Sequence, residues 1–164
     1  MKEILTKISS YDLFNNLIPG TLFAVLADKF IGIDLLQENV FLGIVLYYFF
    51  GMVISRFGSL VIKPLLQLLG VVKEEPYAQY VKASKKDDKL EVLSQVNNTY
   101  RTIVALIFCL LLAGIYVWLE ECWAWIKDYR LPLLSVGLLI LFIVAFRKQT
   151  RYIAERVTAI NSRE

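Results

Sequence analysis

The chain has 164 residues, of which 57% are hydrophobic and 20% are charged, and its formal net charge at pH 7 is +3. Soluble domains contain about 45–50% apolar residues, so this composition, with a mean hydropathy of +0.56 and charges gathered into patches, favours one membrane domain over an amphipathic soluble bundle. There is no histidine, and the two cysteines, Cys109 and Cys122, lie at different predicted depths, which argues against a metal site and a disulfide framework.

The first apolar segment, Leu13 to Phe30, has about the length that crosses a bilayer, ~20 residues. No small-residue cleavage site follows it, so we expect it to remain as a helix rather than to be removed as a signal peptide. Its start is unusually polar and contains a proline; the residues are Asp12, Asn15, Asn16 and Pro19. Because proline removes a backbone hydrogen bond, this start predicts either a discontinuous helix that lines a conduction path or an ordinary kink at the membrane surface.

The second apolar segment, Val40 to Ile62, contains an arginine and several small residues. The small residues are Gly51, Ser55, Gly58 and Ser59, and their spacing predicts a stripe along which another helix packs closely. An arginine within a spanning segment needs a partner or water, which makes Arg56 the sharpest single signal in the chain. Antiparallel pairing of the first two spans puts it near Asp12, Asn15 and Asn16, as part of a polar gate. The structural alternatives are an arginine that extends to the lipid headgroups and a fixed ion pair.

A polar segment from Lys63 to Arg101 separates the two pairs of apolar segments. Within it, the patterns of Tyr77 to Ala83 and Lys89 to Val96 predict a short helical hairpin. The third and fourth spans are predicted at Ile103 to Leu119 and Leu131 to Phe146, with tryptophans near the connection between them forming an aromatic belt at a membrane surface.

These segments together predict an all-α integral membrane protein with four transmembrane helices and a short cytosolic helical segment between the second and third. Lys and Arg concentrate on the cytosolic side of membrane proteins. Placing both termini and the polar segment on that side gives it fourteen of these residues, against three on the other. The predicted parts are an N-terminal membrane hairpin (1–62), a cytosolic connecting segment (63–101), a C-terminal membrane hairpin (102–146) and a basic cytosolic tail (147–164).

Basic and aromatic residues on the predicted cytosolic side suit a phosphate-bearing ligand, because cations pair with phosphates and aromatic faces stack on bases. The candidate residues are Lys82, Lys85, Lys86, Lys89, Tyr100, Arg101, Arg147, Lys148 and Arg151. The alternative is electrostatic attachment to anionic lipid, which contributes ~1 kcal/mol per basic residue and needs no specific ligand. Composition by itself favours the lipid.

The sequence lacks the common catalytic and phosphate-cradling motifs, such as His-Glu-x-x-His and Gly-x-Ser-x-Gly, and no Asp or Glu lies well inside a predicted span. We therefore expect a protein that is not an enzyme, that uses no cofactor or metal, and that is not a proton-coupled exporter.

Three stretches resemble small four-helix membrane proteins of bacterial anti-phage defence operons: Tyr11 to Gly20, Ser55 to Ser59 and Asn98 to Thr102. The membrane effector of the Hailong system is the nearest candidate. That resemblance implies a tetrameric channel gated by a single-stranded oligodeoxyadenylate, which a partner nucleotidyltransferase makes. The membrane subunit of the Kiwa system is second, and it implies a tetrameric sensor with a cytosolic DNA-binding partner.

The resemblance favours a specific ligand over lipid attachment at the basic residues and places the protein in the bacterial inner membrane. A chain with four helices is too small to enclose a wide pore alone, so a channel requires a homo-oligomer, for which cyclic symmetry is usual. We expect an ion-channel effector that is gated or restrained by an anionic nucleotide or oligonucleotide. The alternative is a non-conducting membrane scaffold or sensor that recruits a cytosolic partner.

Overall fold

The structure, a computed structural model, describes residues 2–84, 86–87 and 89–161, with side chains from residue 13 onward apart from those of residues 78 and 161. Helix makes up 87% of it, and its described residues contain no strand. The α-helices are α1 (Lys2–Ile31), α2 (Val40–Phe57), α3 (Lys63–Leu68), α4 (Tyr77–Ser84), α5 (Lys89–Cys122) and α6 (Arg130–Asn161). A π-helical turn (Gly58–Ile62) joins α2 to α3, and a 3-10 helix (Ala124–Tyr129) precedes α6.

Within the described residues, three helical segments are long and apolar enough to cross a membrane: Val40–Leu68, Lys89–Cys122 and Ala124–Ile160. They correspond to the second, third and fourth predicted spans. Helix α1 is not among them, because Asn15, Asn16, Asp28 and Lys29 interrupt its apolar sequence. These helices support a protein of the membrane class, while the first predicted span, Leu13 to Phe30, and the orientation stay predictions.

Helix α1 runs through Pro19 as one continuous helix. The prediction of a helix interrupted at this proline is therefore wrong, although proline still removes one backbone donor from the helix. Two residues later, the hydroxyl of Thr21 donates a hydrogen bond to the carbonyl of Leu17 at 2.8 Å. Such a bond to the preceding turn is common for threonine within a helix and frequently accompanies a bend.

Helices α1 and α2 form an antiparallel hairpin whose backbones touch. A Cβ added at Gly20 would lie 1.7 Å from the carbonyl oxygen of Tyr47, and one added at Gly51 would lie 1.7 Å from the carbonyl oxygen of Asn16. Glycine is required at both positions because any side chain would overlap the opposite backbone. These contacts confirm the predicted antiparallel pairing of the first two helices.

Each predicted boundary between parts falls inside a helix. The helix that contains the second predicted span continues past Ile62 through the π-helical turn and Pro64 to Leu68. Proline is tolerated there because it occupies the first turn of α3. The predicted short helix Lys89 to Val96 is the beginning of α5, which crosses residues 101 and 102 without a break. In the same way, α6 crosses residues 146 and 147.

The buried core is small and lies where the π-helical turn meets α5. Its members are Ile54, Ile62, Ala105 and Leu106. Gly58 lies at the same contact, since a Cβ there would be 3.1 Å from that of Ala105. By contrast, no residue in the most apolar stretch of α6 is buried. A small buried core together with extensive exposed apolar helix surface is typical of a membrane protein.

An ion pair closes the connection between α5 and α6. The guanidinium of Arg130 donates two hydrogen bonds to the carboxylate of Glu120, at 2.9 Å from Nε and 2.5 Å from Nη2. Glu120 is 5% exposed. The bidentate geometry fixes the start of α6 against the end of α5. The nearby tryptophans Trp118, Trp123 and Trp125 are exposed, as a belt at a membrane surface requires.

Candidate anion site at the basic end

A polar contact between distant parts of the chain joins α6 to the π-helical turn. Lys148 donates hydrogen bonds to the carbonyl oxygen of Ser59 at 2.6 Å and to its hydroxyl oxygen at 2.9 Å. The ammonium reaches this position because α6 continues past its apolar part and lies beside the end of α2. Lys148 is half-buried and bonds to neutral oxygens.

Several charges act on this ammonium, and most of them are positive. Lys63, Arg101 and Arg151 repel it, whereas Glu74 attracts it. We call these three cations, together with Lys148 and Arg56, the basic cluster. Two carboxylates pair with members of the cluster: Glu74 forms an ion pair with Lys63, and Glu155 lies 3.5 Å from Arg151 one turn along α6. Cations therefore converge from the α2–α3 helix, from α5 and from α6.

A cavity of about 30 Å³ lies at the centre of this contact, between α2 and α6. Its lining residues are Arg56, Ser59, Leu60, Ala145, Lys148, Gln149 and Tyr152. Arg56 is exposed, and within the described part of the chain no ion pair engages it. The cavity is thus bordered by two cations, a hydroxyl and an amide.

Aromatic rings connect α4 to the same part of α6. Tyr77 stacks on Tyr152, with ring centroids 4.8 Å apart and an angle of 22° between the planes. Tyr80 continues the stack at 6.3 Å from Tyr77. Lys148 and Arg151 each lie 5.8 Å from the centroid of the Tyr152 ring, within the range of cation–π attraction. The position of α4 therefore depends on the tyrosine at the edge of the cavity.

Of the residues predicted to bind a ligand, the structure brings Arg101, Lys148 and Arg151 into the basic cluster. The others whose side chains are described do not line the cavity and are exposed: Lys82, Lys86, Lys89, Tyr100 and Arg147. Lys85 lies outside the described residues. The predicted set is therefore divided between a half-buried cluster and a dispersed exposed surface.

The predicted gate residues separate in a similar way. Arg56 borders the cavity beside α6, and neither Asn15 nor Asn16 is among the residues that line this cavity. The side chain of Asp12 lies outside the described residues, and Pro19 is buried within the hairpin. The side-chain oxygen of Asn15 is buried, and no hydrogen-bond donor among the described residues reaches it. Pairing of α1 with α2 thus fixes the height of Arg56 along the bundle but not the direction of its side chain.

The small residues of α2 and the π-helical turn do not form one stripe. Gly51 contacts α1, Gly58 contacts α5, and Ser59 contacts α6, while Ser55 is half-buried. Four residues advance an α-helix by about 40° more than a full turn, so positions eight residues apart face different neighbours. The close contacts at Gly51 and Gly58 are therefore contacts between helices of the same chain.

Sequence reasoning missed three members of the site: Lys63, Glu74 and Tyr152. Lys63 and Glu74 appeared only as parts of a polar segment, because an ion pair across a loop leaves no periodic signal. Tyr152 was detectable, since it follows Lys148 by four residues and therefore lies on the same face of α6.

The fold and site together define an all-helical protein of the membrane class, with a basic cluster where the apolar stretches of its long helices end. We call this region the basic end. No model of a known protein family, no curated protein and no solved structure matches the chain.

Proposed function

We propose that the protein is an anti-phage membrane effector that assembles into a homo-oligomeric ion channel, and that an anionic nucleotide or single-stranded oligonucleotide at the basic end controls its opening. The observation that carries this proposal is the convergence of cations from three helical segments on Lys148. The anti-phage context rests on the resemblance of the Tyr11–Gly20, Ser55–Ser59 and Asn98–Thr102 stretches.

The mechanism follows from the repulsion within the basic cluster. Without a ligand, like charges on the α2–α3 helix, α5 and α6 disfavour close approach of these helices, because repulsion between charges is stronger near a low-dielectric membrane than in water. A bound anion reduces that repulsion and stabilises the arrangement in which α6 lies against α2. The ligand then shifts the population between two helix arrangements by its difference in affinity for them.

Assembly is supported by the apolar surfaces that one chain leaves uncovered. The most apolar stretch of α6 has no buried residue, and an open apolar groove of about 630 Å³ lies between α1 and α5. Helices of neighbouring copies in a cyclic oligomer, a tetramer by the resemblance, are suited to cover both. The Lys and Arg bias supports a cytosolic location for the basic end and both termini, and the resemblance supports the bacterial inner membrane.

The alternative function is a non-conducting scaffold or sensor that recruits a soluble partner, such as a nucleotidyltransferase. The exposure of Lys82, Lys86, Lys89 and Arg147 favours it, because exposed charges away from the cavity are accessible to a protein surface. Both functions use the basic end, but only one requires ion flux.

Current through planar bilayers tests the proposal. Purified full-length protein, shown by its mass to be assembled, is measured with and without short oligodeoxyadenylate on the side of the basic end. Currents that the oligonucleotide raises or suppresses are the expected result. Assembled protein that passes no current in either condition would overturn the channel and favour the scaffold. The scaffold is tested by recovery of a defined soluble partner.

A further inference from the structure

We propose that the cavity between α2 and α6 is a phosphate-binding site, in which Arg56 and Lys148 hold the phosphate and Glu74 is its internal competitor. The role of this site in gating rests on the proposed function, whereas binding of the phosphate is a separate property. Two sources share the chemistry: the phosphate of a soluble nucleotide and the phosphodiester of an anionic lipid.

The donors at the cavity select an anion. An ammonium has three hydrogen-bond donors, and Lys148 uses two of them on the backbone and hydroxyl oxygens of Ser59, which leaves one. The Ser59 hydroxyl accepts one of these bonds and keeps its own proton to donate. Arg56 adds a guanidinium, whose planar fork matches phosphate oxygens. Among the described residues that line the cavity there is no carboxylate.

The surrounding charge favours the same ligand class. Lys63, Arg101 and Arg151 raise the positive potential at Lys148. An anion close to Lys148 and Arg56 would interact favourably with the whole basic cluster, whereas a neutral ligand would leave the repulsion unchanged. Basic pockets between helices at the cytoplasmic surface of a membrane are typical binding sites for phosphorylated headgroups.

The cavity size determines which part of a ligand enters. One water needs about 10–15 Å³ by the same measure, so a cavity of about 30 Å³ holds about two waters or two phosphate oxygens. The rest of the ligand stays at the mouth, where Tyr152 forms part of the wall. The site therefore recognises a phosphate group and not the sugar, base or acyl chain attached to it.

Glu74 supplies the negative charge that acts on Lys148 within the chain. It pairs with Lys63 and attracts the Lys148 ammonium, and it lies in the segment that joins α3 to α4. A phosphate bound at Lys148 makes the same favourable interaction and is repelled by Glu74. Removal of the Glu74 charge therefore strengthens phosphate binding, whereas removal of a cavity cation weakens it.

Calorimetric titration of inorganic pyrophosphate into full-length protein in phosphatidylcholine nanodiscs tests the soluble source. Lys148→Gln and Arg56→Gln should each weaken binding about tenfold or more, because each substitution removes a charged hydrogen-bond donor from the phosphate. Arg156→Gln is the matched control, because it removes the same charge from an exposed position of α6 and should change the affinity by less than about twofold. Glu74→Gln should tighten binding several-fold.

Native mass spectrometry of the same variants tests the lipid source, with phosphatidylglycerol as the probe and phosphatidylcholine as its control. Retention of phosphatidylglycerol by the wild type and Arg156→Gln, but not by Lys148→Gln or Arg56→Gln, supports the site with a lipid occupant. The proposal is overturned if the wild type binds neither pyrophosphate nor phosphatidylglycerol, or if all three cation substitutions have equal effects. Should Lys148→Gln fail to fold, the opposite responses of Arg56→Gln and Glu74→Gln still decide the matter.

The two proposals fail in distinguishable ways. Phosphate binding without current would support the phosphate-binding site and overturn the channel. The opposite outcome is a current that oligodeoxyadenylate modulates, together with affinities for pyrophosphate and phosphatidylglycerol that do not depend on Arg56 or Lys148. That outcome would support the channel and overturn the phosphate-binding site.

Discussion

The backbones of Gly20 and Gly51 are in direct contact: a Cβ at Gly20 would lie 2.7 Å from the amide nitrogen of Gly51. Neither backbone can move aside without separating α1 from α2 along the hairpin. The contact therefore makes this helix pair sensitive to a single methyl group, and it provides a test of the fold that is independent of function.

Gly51→Ala should destabilise the protein by about 2 kcal/mol or more, because overpacking against a backbone forces helices apart. Gly137→Ala is the control, since nothing lies within 4 Å of a Cβ at that position of α6. Alanine there should be neutral or should stabilise the helix by about 0.5–1 kcal/mol. Reversible unfolding in mixed micelles measures both. Equal effects of the two substitutions would contradict the close contact.

Glu120→Gln should weaken the α5–α6 connection, because it removes the charge from a bidentate pair with Arg130. Glu121→Gln is the control at the next position, where the side chain is exposed. Hydrogen exchange across residues 120–130 should increase in the first variant and remain unchanged in the second. Protection that is the same in both would mean that the ion pair does not fix the turn.

Tyr152→Ala should release α4 from α6, since it removes the ring on which Tyr77 stacks. Tyr152→Phe keeps a ring and should retain most of the attraction, which is about 0.5–1.5 kcal/mol for an aromatic pair. Limited trypsin digestion reports the difference through cleavage after Lys82 and Lys86, both of which are exposed. Faster cleavage of the alanine variant alone is expected. Identical cleavage rates would show that the stack does not hold α4.

Arg56→Ala should keep the assembly of the protein and lose its regulated toxicity in a bacterial host. The expectation follows from the position of Arg56 at the cavity, away from the α1–α2 and α2–α5 contacts. Arg156→Ala is the charge-matched control and should remain regulated. The readouts are growth after induction and oligomer mass by size-exclusion chromatography. Unchanged regulation in Arg56→Ala would remove this residue from the mechanism.

The sequence predicted the elements well where one physical signal dominated. The apolar runs located the second, third and fourth long helices, and the short connector after Ile31 required the antiparallel hairpin in which Gly51 faces Asn16. Helix ends were less predictable. The polar stretch near Asn98 looked like the end of a cytosolic segment, yet it is helical, and the hydroxyls of Thr99 and Thr102 donate to carbonyls one turn earlier.

The site was predictable in part. Charge counts identified the basic end, but they gave equal weight to Lys82, which is exposed, and to Lys148, which is half-buried. The difference depends on which face of α6 meets the π-helical turn, and such a turn changes helix register by an amount that sequence periodicity does not reveal. For the same reason the sequence did not reveal that Arg56 borders a cavity beside α6.

The unbroken course of α5 has a consequence for how the protein is built. Its 34 residues extend about 51 Å at 1.5 Å per residue, whereas the hydrocarbon of a bilayer is about 30 Å thick. A helix of this length that crosses the bilayer extends about 20 Å beyond the hydrocarbon, and α6 has a similar length. No hinge separates an inner portion from an outer one, so a fragment cut at residue 101 or 147 would sever a helix rather than release a domain. A force on the part of α5 or α6 outside the bilayer would therefore tilt the part of the same helix inside it.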